Sequence, residues 1–280
     1  SRHFVAATCA LAAFSPVEMM AQKQPNFVII VADDMGYGDV GIYGNEYIKT
    51  PNIDQMAREG MMFTDFHSNG SVSSPTRCGL LTGRYQQRAG LEKVLLVPRD
   101  DKDKEVGLQS EEITFAKILG ANGYRTALIG KWHLGYLQKH HPMNFGFQKF
   151  VGFKSGNVDY QSHRNRYGDV DWWDGLEMKN MPGYTTTLLT TLSEDYIKEN
   201  KDKPFCLYIA HAAPHSPMQG PNEKAIRTEA TLEGDKNSDR PNKEIYKDMV
   251  EELDWSVGRI LETLKKYKLD KNTFLSLIHI

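Results

Sequence analysis

Apolar positions along the chain fall into two patterns, short continuous runs and longer stretches with helical spacing. Asn26-Phe27-Val28-Ile29-Ile30-Val31-Ala32 is continuous and β-branched, as expected of a strand buried on both faces. Residues 124–129 and 205–210 repeat that pattern, and 272–274 begin one more strand. Residues 61–66 read as a further short strand. Between these runs lie helical stretches. Thr50 and Pro51 open one that Gly60 ends, and Pro75 sits in the first turn of another that Gly83 closes. Residues 113–119 and 185–199 are helical by spacing, and 244–264 carry Ile245, Met249, Leu253, Val257, Ile260 and Leu264 on one face. Residues 98–112 and 218–242 are polar and read as surface loops. Residues 145–183, rich in aromatics and Gly, show neither period and read as a long irregular segment of the functional kind. Strands alternating with helices predict an α/β sandwich with a central mixed, mainly parallel sheet flanked by helices.

Composition narrows the function classes without choosing among them. The 280 residues are 40% hydrophobic and 25% charged, with a net charge of −2. That balance supplies a core and gives no reason to expect nucleic acid or an acidic membrane as partner. Three Cys make no disulfide framework; Cys9 falls in a leader, leaving Cys78 and Cys206 as buried thiols. Arg2 and His3 precede an apolar run over 4–14 that is too short to span a bilayer. Pro16 and Ala21 follow, so 1–21 reads as a signal peptide and the mature chain as exported, periplasmic or extracellular, with no membrane span after cleavage. At the other end, Leu275-Ser276-Leu277-Ile278-His279-Ile280 back-translates to codons of a transposon adapter used in sequencing libraries. The expectation is a domain over 22–274, an adapter-derived tail over 275–280, and a chain truncated before its C-terminal part. An ordinary strand ending is the alternative for the tail.

Ionisable residues gather where the strands end. Asp33 and Asp34 follow the first strand, in the position where open α/β sheets bind ligands. Adjacent like charges call for a cation, and hard carboxylate oxygens suit Ca2+ or Mg2+; an exposed turn pair is the alternative. Ser73 stands at a helix N-terminus that favours an anion, with Arg77 one turn on. Lys131 and His133, past the second strand, alternate onto one side and suit an anion and a proton transfer. His215 lies between Pro214 and Pro217, whose rigid, non-helical path aims it into a cleft. Three strands ending in chemistry outweigh the bland reading of each residue alone. Trp172 and Trp173, flanked by Asp171 and Asp174, suit a sugar ring, with core packing as an equal alternative.

The strings around these residues resemble one family, the sulfatases. Ser73-Ser74-Pro75-Thr76-Arg77 with Thr82-Gly83 matches its Cys-or-Ser, x-Pro-x-Arg, Thr-Gly signature. Asp33-Asp34-Met35-Gly36-Tyr37-Gly38-Asp39, Thr50-Pro51-Asn52-Ile53-Asp54, Gly130-Lys131-Trp132-His133-Leu134-Gly135 and His-x-Pro around His215 match in the family's order, over about residues 25–274. The resemblance implies hydrolysis of a sulfate ester, by formylglycine made from Ser73. It implies a divalent cation, Ca2+ or Mg2+, held by Asp33, Asp34 and residue 73. It also places Lys131 and His215 on the sulfate, with Arg77 and His133 beside the formylglycine. Ser in place of the commoner Cys implies an anaerobic radical maturation enzyme as partner. A sulfated glycan is the expected substrate, with Trp172 and Trp173 among its contacts. The family's Ser-Asp-Asn-Gly, which supplies two more metal ligands, is absent from this chain, so the chain alone is expected to be inactive and poorly folded. A phosphate mono- or diester hydrolase using unmodified Ser73 is the alternative enzyme, and a glycan-binding protein using the two Trp is the non-enzymatic one.

Overall fold

The core of the fold is the strand β1, Asn26–Asp33, which has neighbours on both sides. A computed structural model describes residues 24–228 and 238–280; the proposed leader over 1–21 lies outside the described residues. The sheet has seven strands: β1; β2, Arg125–Lys131; β3, Lys149–Phe153; β4, Trp173–Asp174; β5, Glu177–Met178; β6, Phe205–Pro214; and β7, Thr273–His279. Their order is β5-β4-β3-β2-β6-β1-β7. All pairings from β3 to β7 are parallel, and only the short β3–β4 and β4–β5 pairings are antiparallel. The expected mixed, mainly parallel sheet is therefore present.

Side-chain alternation divides the core into two layers. Val28, Ile30 and Ala32 of β1 join Ala127, Ile129, Leu207 and Ile209 beneath α5 (Thr185–Asn200) and α6 (Asn242–Lys266). Val31, Leu128, Phe150 and Tyr208 face the other way, against α2 (Ser73–Thr82) and α4 (Phe115–Ala121). A further helix, α1 (Pro51–Glu59), packs beside α6, and the short α3 (Asp101–Lys104) lies in the charged loop. Asp254 of α6 accepts the backbone N–H of Asn52 at 3.3 Å and that of Ile53 at 2.8 Å. It thereby satisfies free donors at the start of α1, which Thr50 does not, because its hydroxyl is turned to Asp54. The Thr-Pro-Asn-Ile-Asp segment thus ties α1 to α6.

Two expectations fail. Residues 61–66 form no strand: both edges of β1 are already taken by β6 and β7, and Met61 and Phe63 stand 82% and 63% exposed. The segment over 145–183 is not irregular throughout, because Lys149–Phe153 is a central strand. Its period was hidden by Gly152, which pairs across the ladder with Gly130. A Cβ on Gly152 would fall 2.1 Å from the Gly130 carbonyl, and one on Gly130 would fall 2.0 Å from that of Ala210. Both glycines have positive φ, so three strands approach here as only Gly permits. The polypeptide over 275–280 continues β7 in register with β1, from Leu275 opposite Val28 to His279 opposite Ala32.

Candidate active site

The C-terminal ends of β1, β2 and β6 and the N-terminus of α2 meet at one place. Helix α2 starts at Ser73 and ends at Gly83, which takes the left-handed conformation that closes it. Ser73 is half-buried, and its Oγ lies 2.8 Å from Nδ1 of His133. The other ring nitrogen of His133, Nε2, lies 2.6 Å from the Leu95 carbonyl. A carbonyl only accepts, so Nε2 carries the proton and Nδ1 is left as the acceptor for the Ser73 hydroxyl. Burial, reinforced by the Lys131 ammonium, holds the His133 imidazole well below its ordinary value. The ring is a neutral base with its lone pair on Ser73.

Behind this pair lies a buried set of charges. Lys131 pairs with Asp33, and the Arg77 guanidinium lies 3.6 Å from the second oxygen of that carboxylate. All three side chains are at most 1% exposed. Arg77 also donates to the Lys131 carbonyl at 3.2 Å and to the Tyr208 hydroxyl at 3.3 Å. Burial works against the charge on Asp33, but Lys131, Arg77 and His215 outweigh it and hold the carboxyl below its ordinary value. Burial pushes Lys131 down to about 8, against the pull of Asp33. Such groups remain charged in an interior only when they are paired.

His215 reaches the same place by an irregularity in β6. Opposite β1 the register passes from Val31–Ala210 to Asp33–Pro214, so β6 carries extra residues and bulges. A bulge re-aims the strand end, here toward β1. His215 donates from Nδ1 to the Ser216 carbonyl at 2.6 Å, and its Nε2 lies 3.4 Å from the exposed Asp34 carboxylate. Asp34 has a φ of 62°, a left-handed turn that separates its side chain from that of Asp33.

Comparison with known proteins decides the family. The family model described as Sulfatase matches residues 25–278. The chain belongs to the sulfatase family. N-acetylgalactosamine-6-sulfatase of Canis lupus familiaris is 33% identical over 91% of this chain and 49% of the relative. Steryl-sulfatase of Rattus norvegicus is 30% identical over 90% of this chain and 54% of the relative. Among solved structures, Ps i-CgsB in complex with k-i-k-neocarrahexaose superposes with a TM-score of 0.78 at 32% identity, over 92% of this chain and 58% of that one. The chain thus spans about half the length of the curated sulfatases it matches.

Within this sulfatase fold, the contacts join Ser73 to His133, Arg77 and Lys131 to Asp33, and His215 to Asp34. The two Trp divide. Trp172 is 0% exposed, stacked between Phe153 and His163, so it packs the core and cannot meet a sugar. Trp173 is half-buried at β4, with the Lys154 ammonium 3.6 Å from its ring centre. For a cation, Asp33 offers a buried oxygen, Oδ1, with no hydrogen-bond partner, and Asp34 an exposed carboxylate. Hard, partly unpartnered oxygens of this kind fit Ca2+ or Mg2+. Among the described residues no three His, Cys, Asp or Glu gather as a metal cluster.

Three contributors escaped the sequence reading. The Leu95 carbonyl fixes the His133 tautomer, and a main-chain acceptor in a loop leaves no sequence signature. Tyr208 could have been found from the alternation of β6, which turns it to the α2 side. Tyr160 donates its hydroxyl to the His215 carbonyl at 2.8 Å from a segment without period.

Proposed function

We propose that this chain carries the nucleophile side of a sulfate-ester hydrolase, with Ser73 matured to formylglycine. The observation that carries the reading is the 2.8 Å contact between Ser73 Oγ and Nδ1 of a neutral His133, backed by Arg77, Lys131 and Asp33. Asp33, Asp34 and the oxygen of residue 73 would hold a divalent cation, Ca2+ or Mg2+, which would supply positive charge to the sulfate oxygens and favour an ionised nucleophile. In hydrated formylglycine, which carries two hydroxyls on one carbon, one would attack sulfur as the alcohol leaves, and His133 would take the proton of the other at Nδ1 as sulfate is expelled and the aldehyde restored. Arg77 and Lys131, already deprived of water, neutralise the charge that builds on the sulfate. His215 presents Nε2 at the exposed side of the site, where the alcohol departs and needs a proton.

A sulfated carbohydrate is the substrate class this reading favours. Its support is the printed name of the N-acetylgalactosamine-6-sulfatase relative and the oligosaccharide in the Ps i-CgsB structure. Trp173 is the remaining aromatic candidate for a sugar contact. Maturation by an anaerobic radical enzyme and export to the periplasm or beyond belong to the same proposal. No described helix is long and apolar enough to cross a membrane.

The test is sulfate release from sulfated oligosaccharides by a full-length protein carrying these residues, produced with the maturation enzyme. The expected result is release that stops on chelation and returns with Ca2+. Release of phosphate but not sulfate, from a protein with unmodified Ser73, would instead establish the phosphoester hydrolase. This chain alone, without the family's Ser-Asp-Asn-Gly, is expected to release neither.

A further inference from the structure

We infer that Asp171 is a positioning residue for the base His133, acting through the turn of residues 154–156. His133 has a φ of 57°, a left-handed conformation that a non-glycine residue holds only when its surroundings impose it. Three contacts impose it. The Leu95 carbonyl takes Nε2–H, the Lys154 carbonyl accepts the His133 backbone N–H at 3.2 Å, and Gly156 lies under the ring. A Cβ on Gly156 would stand 2.8 Å from both Cε1 and Nε2 of His133. Gly156 has no positive φ, so it is the imidazole, and not the backbone, that excludes a side chain there.

Two of the three contacts come from the turn after β3, and that turn is held by one carboxylate. Asp171 is 7% exposed and accepts the Lys154 N–H at 3.2 Å on Oδ1 and the Ser155 N–H at 2.8 Å on Oδ2. The Trp173 indole N–H adds a third donor to Oδ1 at 2.8 Å. Three donors on two oxygens need an acceptor-only group, which an ionised carboxylate is and an amide is not. Asp171 lies 38 positions from His133 in sequence and touches it nowhere directly, so its effect on Ser73 passes through the turn. The inference rests on His133 as partner of Ser73 and not on which ester is cleaved.

The test reads the His133 ring proton by NMR in a 15N-labelled full-length protein carrying these residues, with no ester or cation added. His133→Gln assigns the signal, and His140, whose ring nitrogens face the carbonyls of Leu108 and Glu105, is the internal control. In the wild-type protein the His133 Nε2–H is expected as a slowly exchanging downfield signal. Asp171→Asn and Gly156→Ala are each expected to lose it to solvent exchange while the His140 signal stays. Retention of the His133 signal in either variant would overturn the inference. So would joint loss of both rings' signals, which would make Asp171 a staple of the whole fold, or absence of the signal from the wild-type protein.

Discussion

The chemistry of the site rests on which imidazole nitrogen holds the proton, and Leu95 decides it. With Nε2–H given to a carbonyl, Nδ1 can only accept, and Ser73 is the donor in front of it. In a full-length protein, His133→Ala is therefore expected to cut the turnover rate about 100- to 10,000-fold while leaving KM within a few-fold, as steady-state kinetics would show. A second histidine makes a prediction about stability. His211 on β6 is buried, its Nε2 lies 3.1 Å from the Ser256 hydroxyl, and it is pushed by burial down to about 3. His141 is likewise pushed by burial to about 4. Each binds its proton in the unfolded chain near pH 6.5 but not in the folded one. Their stabilising effect is complete above pH 6.5 and is lost as the pH falls toward 4 and then 3. The expected slope is about 1.4 kcal/mol per pH unit for each group. Urea unfolding of a full-length protein carrying these residues, between pH 7 and 4, would measure it, and His211→Leu should flatten the slope by one group's share.

At the level of elements, the site is built where strands crowd and helices are capped from afar. Gly130→Ala would drive a Cβ into the Ala210 carbonyl at a position that already needs positive φ. A loss of about 3 kcal/mol is expected, read from the denaturation midpoint. Asp254→Ala would leave the first amides of α1 unsatisfied at the seam with α6, at a cost of about 1–3 kcal/mol by the same measurement. Most elements were legible in the sequence because their apolar period matched their burial. β1, β6 and α6 are long enough to show it, and Gly83 marks the end of α2 at the position expected. β3 was not legible, because a five-residue strand with a glycine serving its neighbour shows no period. The expected strand over 61–66 shows the converse: an apolar run that pairs with no strand of the sheet stays irregular. Within the site, the charged residues announced themselves at strand ends, whereas Leu95 acts through its backbone and Trp172 is taken by the core.

Taken whole, the molecule brings the ends of three parallel strands and one helix together at one charged site, in a chain about half as long as the curated sulfatases it matches. The buried Lys131–Asp33–Arg77 set is costly to assemble unless an anion and a cation make use of it, which ties the fold to the proposed reaction. The most direct measurement is the mass of the tryptic peptide that ends at Arg77 and contains Ser73, taken from full-length protein matured anaerobically. The account predicts a peptide lighter than the encoded one by one hydrogen molecule, the mass of formylglycine in place of Ser73. An unmodified serine peptide from protein that hydrolyses sulfate esters would contradict it.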